Sequence, residues 1–109
     1  MTVKTLSELC GFSAAALPSP EREIDGCYVG DLLSWVMGRA NANNAWITIM
    51  SNQNVIAVAS LADVSCVILA EGVTPGDELI SLAKEKGINL LLSGLPAYES
   101  AIRLYSVQK

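Results

Sequence analysis

Apolar residues dominate positions 46–72, and polar or glycine-containing turns divide this stretch into three parts. Residues 46–50 (WITIM) and 65–69 (SCVIL) are short apolar runs with β-branched members, typical of buried strands. Between them, residues 55–62 are apolar over a length that favours a helix. Because a helix separates the two strands, we expect parallel neighbours joined by a right-handed crossover.

The alternation of helices and strands continues on both sides of this stretch. We expect helices over residues 2–11, 31–39, 75–86 and 96–105, and strands over residues 26–30 and 88–92. Residues 14–20 are predicted to form an extended connector, because Pro18 and Pro20 exclude a helix there. The pattern therefore predicts one α/β domain over residues 1–109, a three-layer α/β/α sandwich with a mostly parallel central sheet.

Several helix ends carry recognisable signals. Gly11 and Gly87 are typical helix terminators, and Thr74 with Asp77 three residues later matches a capping box. Asp31 is interpreted as a helix cap rather than an active-site acid. The helical spacing also predicts the buried faces of two helices. In the second helix these residues are Leu32, Leu33, Val36, Met37 and Ala40. In the last helix they are Ala97, Tyr98, Ala101, Ile102 and Tyr105.

The composition favours self-association. Hydrophobic residues make up 51% of the 109 residues and charged residues only 17%, so a lone domain would expose much apolar surface. An alanine-rich monomeric α/β core is the alternative. Trp35 falls off the apolar face of its helix, and Trp35 and Arg39 are our candidate residues for a homodimer interface. Trp35 could equally lie under a loop.

The charge pattern argues against nucleic-acid and membrane partners. The net charge is −4, and the seven lysines and arginines are scattered without a basic stripe. The longest uncharged run, residues 40–62, is interrupted by asparagine, serine and glutamine, so we do not expect a membrane span. The chain opens without a basic and apolar leader, so we expect a cytoplasmic protein.

Neither catalysis nor a cofactor is expected. The chain has no histidine, which removes the usual zinc ligand and the usual base for a serine or cysteine nucleophile. Cys10, Cys27 and Cys66 lack metal-type spacing and are expected to be buried, reduced thiols. The glycines match neither the phosphate-binding loop nor the dinucleotide fingerprint. No catalytic or metal-binding residue is therefore assigned.

Three polar turns follow predicted strands and are expected to meet at the carboxyl edge of the sheet, where α/β proteins usually bind ligands. Helix N-termini at this edge favour anions, although Glu71 works against a phosphate. The candidate ligand-binding residues are Ser51, Asn52, Gln53, Asn54, Glu71, Gly72, Ser93 and Gly94.

Residues 30–34 (GDLLS), 46–59, 67–72 and 82–88 resemble the DRTGG domain, and the resemblance runs from about residue 24 to residue 102. In that family the domain accompanies phosphotransacetylases, some nucleotide-regulated pyrophosphatases and relatives of the HPr kinase N-terminal domain. The resemblance implies an α/β domain of regulatory or dimerising character without a reaction of its own. The chain is similar to small stand-alone members of the family that are encoded beside iron-only hydrogenase and kinase genes. This similarity implies a protein partner in such a system.

The chain departs from the family pattern at two turns. Asn52-Gln53 stands where family members tend to carry Asp-Arg, and Ala70-Glu71-Gly72 stands where they tend to carry Thr-Gly-Gly. These substitutions change the charge and the backbone access that a small-molecule ligand would meet. A role in binding another protein depends less on these two turns. The sequence therefore predicts a non-catalytic regulatory or dimerisation domain, with an anion or nucleotide sensor as the alternative.

Overall fold

The computed structural model describes residues 1–108 and contains alternating helices and strands. In chain order they are α1 (Val3–Cys10), β1 (Ser13–Ala16), β2 (Cys27–Val29), α2 (Leu33–Arg39), β3 (Ala45–Thr48), α3 (Asn54–Ala62), β4 (Cys66–Leu69), α4 (Asp77–Lys86), β5 (Leu90–Leu92) and α5 (Ala97–Gln108).

The strands form one five-stranded sheet in the order β1-β5-β4-β3-β2. The pairs β2–β3, β3–β4 and β4–β5 are parallel, and β1 runs antiparallel to β5 at one edge. The helices between the parallel strands make the crossovers that the sequence predicts. The mostly parallel α/β fold is confirmed.

Helices cover both faces of the sheet, as a parallel sheet requires. On one face, Trp46, Val67 and Leu69 pack in a core with residues of α2, α3 and α4. On the other, Ile47 and Ile68 pack in a second core with residues of α1 and α5. All residues of β3 and β4 are buried, because successive side chains point to opposite, equally covered faces.

Residues 14–20 were predicted to be a connector, and this prediction is wrong for their first part. Ser13–Ala16 is strand β1, with Ser13 opposite Leu92 and Ala14 opposite Leu91. Alanine has a low intrinsic preference for strands. Long-range pairing with β5, rather than local sequence, therefore holds this segment in the sheet.

The C-terminal ends of α1 and α4 agree with the sequence, whereas α5 continues to Gln108 instead of ending at Tyr105, and two N-termini differ. Gly11 and Gly87 are left-handed caps of α1 and α4, as predicted. The N-cap of α4 is Gly76 rather than Thr74, and it makes no side-chain hydrogen bond. The N-cap of α2 is Leu32 and likewise lacks a side-chain bond, so Asp31 does not cap α2.

The predicted buried stripes of α2 and α5 are partly wrong. On α5 the buried residues are Ser100 and Leu104, whereas Tyr98, Ile102 and Tyr105 are exposed. The hydroxyl of Ser100 lies 2.7 Å from the buried Ser93 hydroxyl, and this pairing allows a polar residue to occupy the inner face. On α2, Val36 is buried as predicted, while Leu32 and Met37 are exposed.

Candidate functional site

The loops that follow the four parallel strands lie at one edge of the sheet, which we call the carboxyl edge. They comprise residues 30–32, 49–53, 70–76 and 93–96. Neighbouring loops therefore hold Ser51, Asn52, Gln53, Glu71, Gly72, Ser93 and Gly94, and Asn54 is the first residue of α3. Their hydrogen bonds show how much of this edge is open to a ligand.

Glu71 and Gly72 form a tight turn with two successive left-handed residues, at φ values of 62° and 71°. The Val73 N–H donates to the Ala70 carbonyl at 3.2 Å across this turn, as in a type I′ turn. The amides of Glu71 and Gly72 donate to the carbonyls of Leu95 (2.8 Å) and Ser93 (3.0 Å). Both amides are therefore already used within the protein.

Ser93 supports its own loop. Its side chain is buried, lies 2.7 Å from the Ser100 hydroxyl and accepts a 3.2 Å hydrogen bond from the Leu95 N–H. Gly94, in contrast, is exposed, and a side chain added there would meet no atom within 4 Å. Of these two predicted residues, Gly94 faces solvent and Ser93 faces the protein.

The turn formed by Ser51, Asn52, Gln53 and Asn54 is exposed throughout. The Asn52 side chain accepts a 2.9 Å hydrogen bond from the Asn54 N–H, which satisfies one amide at the start of α3. The Gln53 side chain donates to the Glu78 carboxylate at 3.4 Å. This turn thus joins the start of α3 to the first turn of α4.

Asp31 has a role that the sequence did not indicate. Its Oδ1 atom accepts hydrogen bonds from the Thr48 hydroxyl (2.8 Å) and the Ile49 N–H (2.9 Å). The Trp46 indole N–H donates to the Gly30 carbonyl at 2.9 Å, in the same loop. These contacts fasten the loop after β2 to the end of β3. No local sequence signal identifies them, because the partners are about seventeen residues apart.

Two cavities of about 450 Å³ each lie along α3 and α4 rather than at the centre of the carboxyl edge, and they share Gln53 and Leu82. A third, of about 260 Å³, is lined in part by Met1 and Gly26. The first is lined by Gln53, Asp77, Glu78, Ser81, Leu82 and Glu85. The second is lined by Gln53, Asn54, Ile56, Ala57, Ser60, Leu61, Leu82 and Lys86. Of the predicted ligand residues, Gln53 and Asn54 therefore line a cavity, between α3 and α4.

The two predicted interface residues form one exposed unit. The Arg39 guanidinium lies over the Trp35 ring, 3.8 Å from its centroid, and Trp35 is 52% exposed. The alternative that a loop covers Trp35 is thus wrong. A cation held on an exposed aromatic face provides both apolar area and charge to a partner.

The cysteines are all free, and Cys27 is exposed rather than buried as predicted. Desolvation raises the pKa of Cys27 to about 11. Burial also raises the pKa of Cys66, and it raises that of Cys10 against the opposing effect of nearby Arg103. The three thiols are therefore protonated at neutral pH, which disfavours thiolate chemistry.

Across residues 1–108, no group of three or more histidine, cysteine, aspartate or glutamate side chains could hold a metal ion. Within the same residues, no helix has the length and apolar character needed to cross a membrane.

No protein-family model and no curated protein sequence matches the chain. A solved structure that does match is that of the CBS and DRTGG domains of the regulatory region of Clostridium perfringens pyrophosphatase, complexed with its activator diadenosine tetraphosphate. The match has a TM-score of 0.74 at 16% identity and covers 94% of this chain and 45% of that chain. This chain thus spans less than half of the matched chain. The likeness concerns the fold, and it confirms the predicted DRTGG-like architecture.

Proposed function

We propose that this chain is a non-catalytic regulatory domain that acts through self-association. The observation that carries the proposal is its likeness, over 94% of its length, to a regulatory region rather than to a catalytic domain. The protonated thiols and the lack of histidine are consistent with a role other than catalysis.

Self-association draws support from the surface. The charged fraction is only 17%, and large apolar side chains are exposed on both helical layers. Leu32, Trp35, Met37 and Leu61 lie on or beside α2 and α3, and Leu9, Tyr98, Ile102 and Tyr105 lie on α1 and α5. Scattered apolar side chains are normal on a soluble surface, whereas a concentration on neighbouring helices is typical of an interaction site.

The experiment is sedimentation velocity over a range from low to high micromolar concentration, read as mass against concentration. The proposal predicts a two-copy species that grows with concentration, and Trp35→Asp should weaken it. Tyr98→Asp makes the same change on α5, on the opposite face of the sheet, so a larger effect of Tyr98→Asp than of Trp35→Asp would move the interface to α1 and α5. A one-copy mass at every concentration would refute self-association.

A nucleotide or anion sensor is the second candidate, favoured by the nucleotide activator in the matched regulatory region. The corresponding site would be the carboxyl edge, where Ser51, Asn54 and Gly94 are exposed. A thermal-shift series with diadenosine tetraphosphate, mononucleotides, acyl phosphates and carboxylates tests it, because a ligand that binds the native state must raise the melting temperature. No rise with any of these ligands would exclude them as activators.

The protein partner in a hydrogenase or kinase system, and a cytoplasmic location, belong to the same proposal and rest on the family resemblance. Co-purification of a tagged chain from its own source, with the α2 variant Trp35→Asp as comparison, would identify the partner. Recovery of neither a hydrogenase nor a kinase component would count against this part of the proposal.

A further inference from the structure

Strand β2 lies at one edge of the sheet, and one side of its backbone has no neighbouring strand. On its inner side β2 pairs with β3, where the Gly30 N–H donates to the Ile47 carbonyl at 3.1 Å. Backbone groups alternate in direction along a strand, so Tyr28 shares this inner side, whereas Cys27 and Val29 face away from β3. Cys27 and Val29 therefore each present an N–H and a carbonyl to an added strand.

These outward backbone groups are self-complementary under a two-fold rotation. In an antiparallel arrangement centred on Tyr28, Cys27 of each copy lies opposite Val29 of the other. Both members of each pair direct their N–H and carbonyl groups across the new boundary, so each pair can exchange two hydrogen bonds. Gly26 and Gly30 flank the strand without side chains, which leaves room for the second strand to approach.

Helix α5 carries aromatic side chains on the flank nearest this edge. It contacts β2 and β3, and Arg103 donates to the Cys10 carbonyl of α1 at 2.9 Å, so α1 lies on the Arg103 side. Tyr105 is about 200° around the helix from Arg103, and Tyr98 shares the side of Tyr105. Both rings are exposed, by 64% and 74% respectively. The charged residues of α5, Glu99 and Arg103, recur at helical spacing on the α1 side.

Helix α2 carries apolar side chains on the other face of the same edge. It joins β2 to β3 and packs against α3, so it is the last helix of its layer. Leu33 and Ala40 pack against the core that contains α3 residues. Leu32, Trp35 and Arg39 recur at helical spacing and form a separate, exposed stripe. This stripe therefore lies on the side of α2 away from α3, next to the unpaired side of β2.

We propose that the β2 edge binds a second copy of the chain, antiparallel about a two-fold axis at Tyr28, an inference that rests on the proposed self-association. The open backbone requires an extended strand as its partner. An isolated strand leaves the rings of Trp35 and Tyr98 in water, whereas a second copy brings its own α2 and α5 to the two faces. Because α5 lies over β2 and β3 and strands are about 4.8 Å apart, the two α5 axes lie about 10 Å apart, which is close to the spacing of packed helices.

The charged residues on α2 and next to β2 are Arg39, Asp25 and Asp31. The register brings Asp25 of one copy near Asp31 of the other, and opposed like charges weaken strand pairing. The Asp31 carboxylate is bonded to the end of its own β3, and the Asp25 N–H donates inward to the Asn43 carbonyl at 2.8 Å, so the paired span is limited to residues 27–29. The remaining repulsion keeps the association weak and provides a test of the register.

The first test is a disulfide across the two-fold axis. Tyr28 lies opposite itself in a non-hydrogen-bonded pair, in which Cα atoms are about 4.5 Å apart, a distance that a disulfide spans. In a Cys27→Ser background, Tyr28→Cys should link two copies on oxidation with glutathione disulfide, measured on non-reducing gels. Ser13→Cys in the same background is the control on the opposite edge strand β1, and it should link about tenfold more slowly or less.

The second test is the dimer dissociation constant from sedimentation velocity. Val29→Lys should raise it about tenfold, because a lysine on an edge strand opposes pairing. Asp25→Asn should lower it about threefold, because it removes the opposed like charges. Leu61→Lys on α3 is the control, since Leu61 is 73% exposed but remote from the β2 edge, and it should leave the constant unchanged. Thermal unfolding of every variant verifies that the fold is retained.

The outcomes distinguish the edge from self-association in general. A two-copy parent that Val29→Lys leaves intact, or equal linking rates for Tyr28→Cys and Ser13→Cys, would overturn the edge pairing while leaving self-association in place. An unchanged constant on Asp25→Asn would overturn the register centred on Tyr28. A monomeric parent at every concentration would refute the inference and the proposed self-association together.

Discussion

Asp31 offers the sharpest test of how the carboxyl edge is held together. Its carboxylate accepts two hydrogen bonds, from the Thr48 hydroxyl and the Ile49 N–H, at 2.8 and 2.9 Å. Hydrogen bonds to a charged group contribute about 1.5 to 3 kcal/mol, and the exposure of Asp31 places it near the lower value. Asp31→Ala should therefore lower the free energy of unfolding by about 1.5 kcal/mol. For a domain of this size that corresponds to a fall in melting temperature of about 6 °C.

A double-mutant cycle distinguishes this role from helix capping. If Asp31 fastens the loop to β3, Asp31→Ala should be less harmful when Thr48→Val has already removed the hydroxyl, with a coupling energy of about 1 kcal/mol. If Asp31 instead stabilised the start of α2, Asp31→Ala would lower the free energy of unfolding by the same amount in the parent chain and in the Thr48→Val variant. Urea denaturation followed by tryptophan fluorescence measures all four proteins, and Asp25→Ala controls for removing one exposed acid. A coupling energy near zero, or an equal loss on Asp25→Ala, would refute the reasoning.

Three further predictions concern the thiols and a helix end. Burial raises the pKa of Cys66 above its ordinary 9.0. Above about pH 9 the folded chain therefore retains a proton that the unfolded chain releases, and the free energy of unfolding should fall as the pH rises. Cys66→Ala should flatten this fall in urea midpoints, and an unchanged slope would contradict the assignment. Desolvation raises the pKa of Cys27, so Cys27 should react with iodoacetamide about tenfold more slowly at pH 8 than a free cysteine, because its smaller thiolate fraction outweighs the higher nucleophilicity of its thiolate; peptide mapping gives the rate, and labelling at the free rate would contradict it. Gly87→Ala should lower the free energy of unfolding in urea by about 1 kcal/mol, because the φ angle of Gly87 is +73°. Gly38→Ala within α2 is the control and should leave this free energy unchanged or raise it. Equal effects of the two substitutions would contradict a backbone cause.

The sequence predicted the parallel sheet because the signals for its strands and helices lie within each element. Apolar runs such as those of β3 and β4 and glycine terminators such as Gly87 reveal elements without knowledge of their neighbours. Strand β1 was missed because Ala14 and Ala16 carry no strand signal and are held by pairing with β5. The inner face of α5 was missed because Ser100 is buried only with Ser93 as its hydroxyl partner.

The candidate site divides in the same way. The positions of the polar turns followed from the order of strands and helices. The hydrogen bonds of these turns could not be predicted from that order. Glu71 adopts a left-handed backbone that non-glycine residues rarely take. Asp31 accepts hydrogen bonds from Thr48 and Ile49, at the end of the next strand. The position of Trp35 off the apolar face of its helix followed from the helical wheel, whereas its exposure and its contact with Arg39 required the structure.

The hydrogen bonds at the carboxyl edge bear on both proposed functions. A ligand that binds an α/β edge usually takes hydrogen bonds from open backbone amides, yet the Glu71 and Gly72 amides already donate to Leu95 and Ser93. An anion recruiting them would have to replace two internal bonds, so its net gain from each is on the order of zero rather than the about 1 kcal/mol of a new bond. The exposed side chains of Trp35, Met37 and Leu61 on α2 and α3 have no such internal competitor, because apolar surface gains by losing water alone. This difference is why we place self-association through the helices ahead of ligand sensing at the edge.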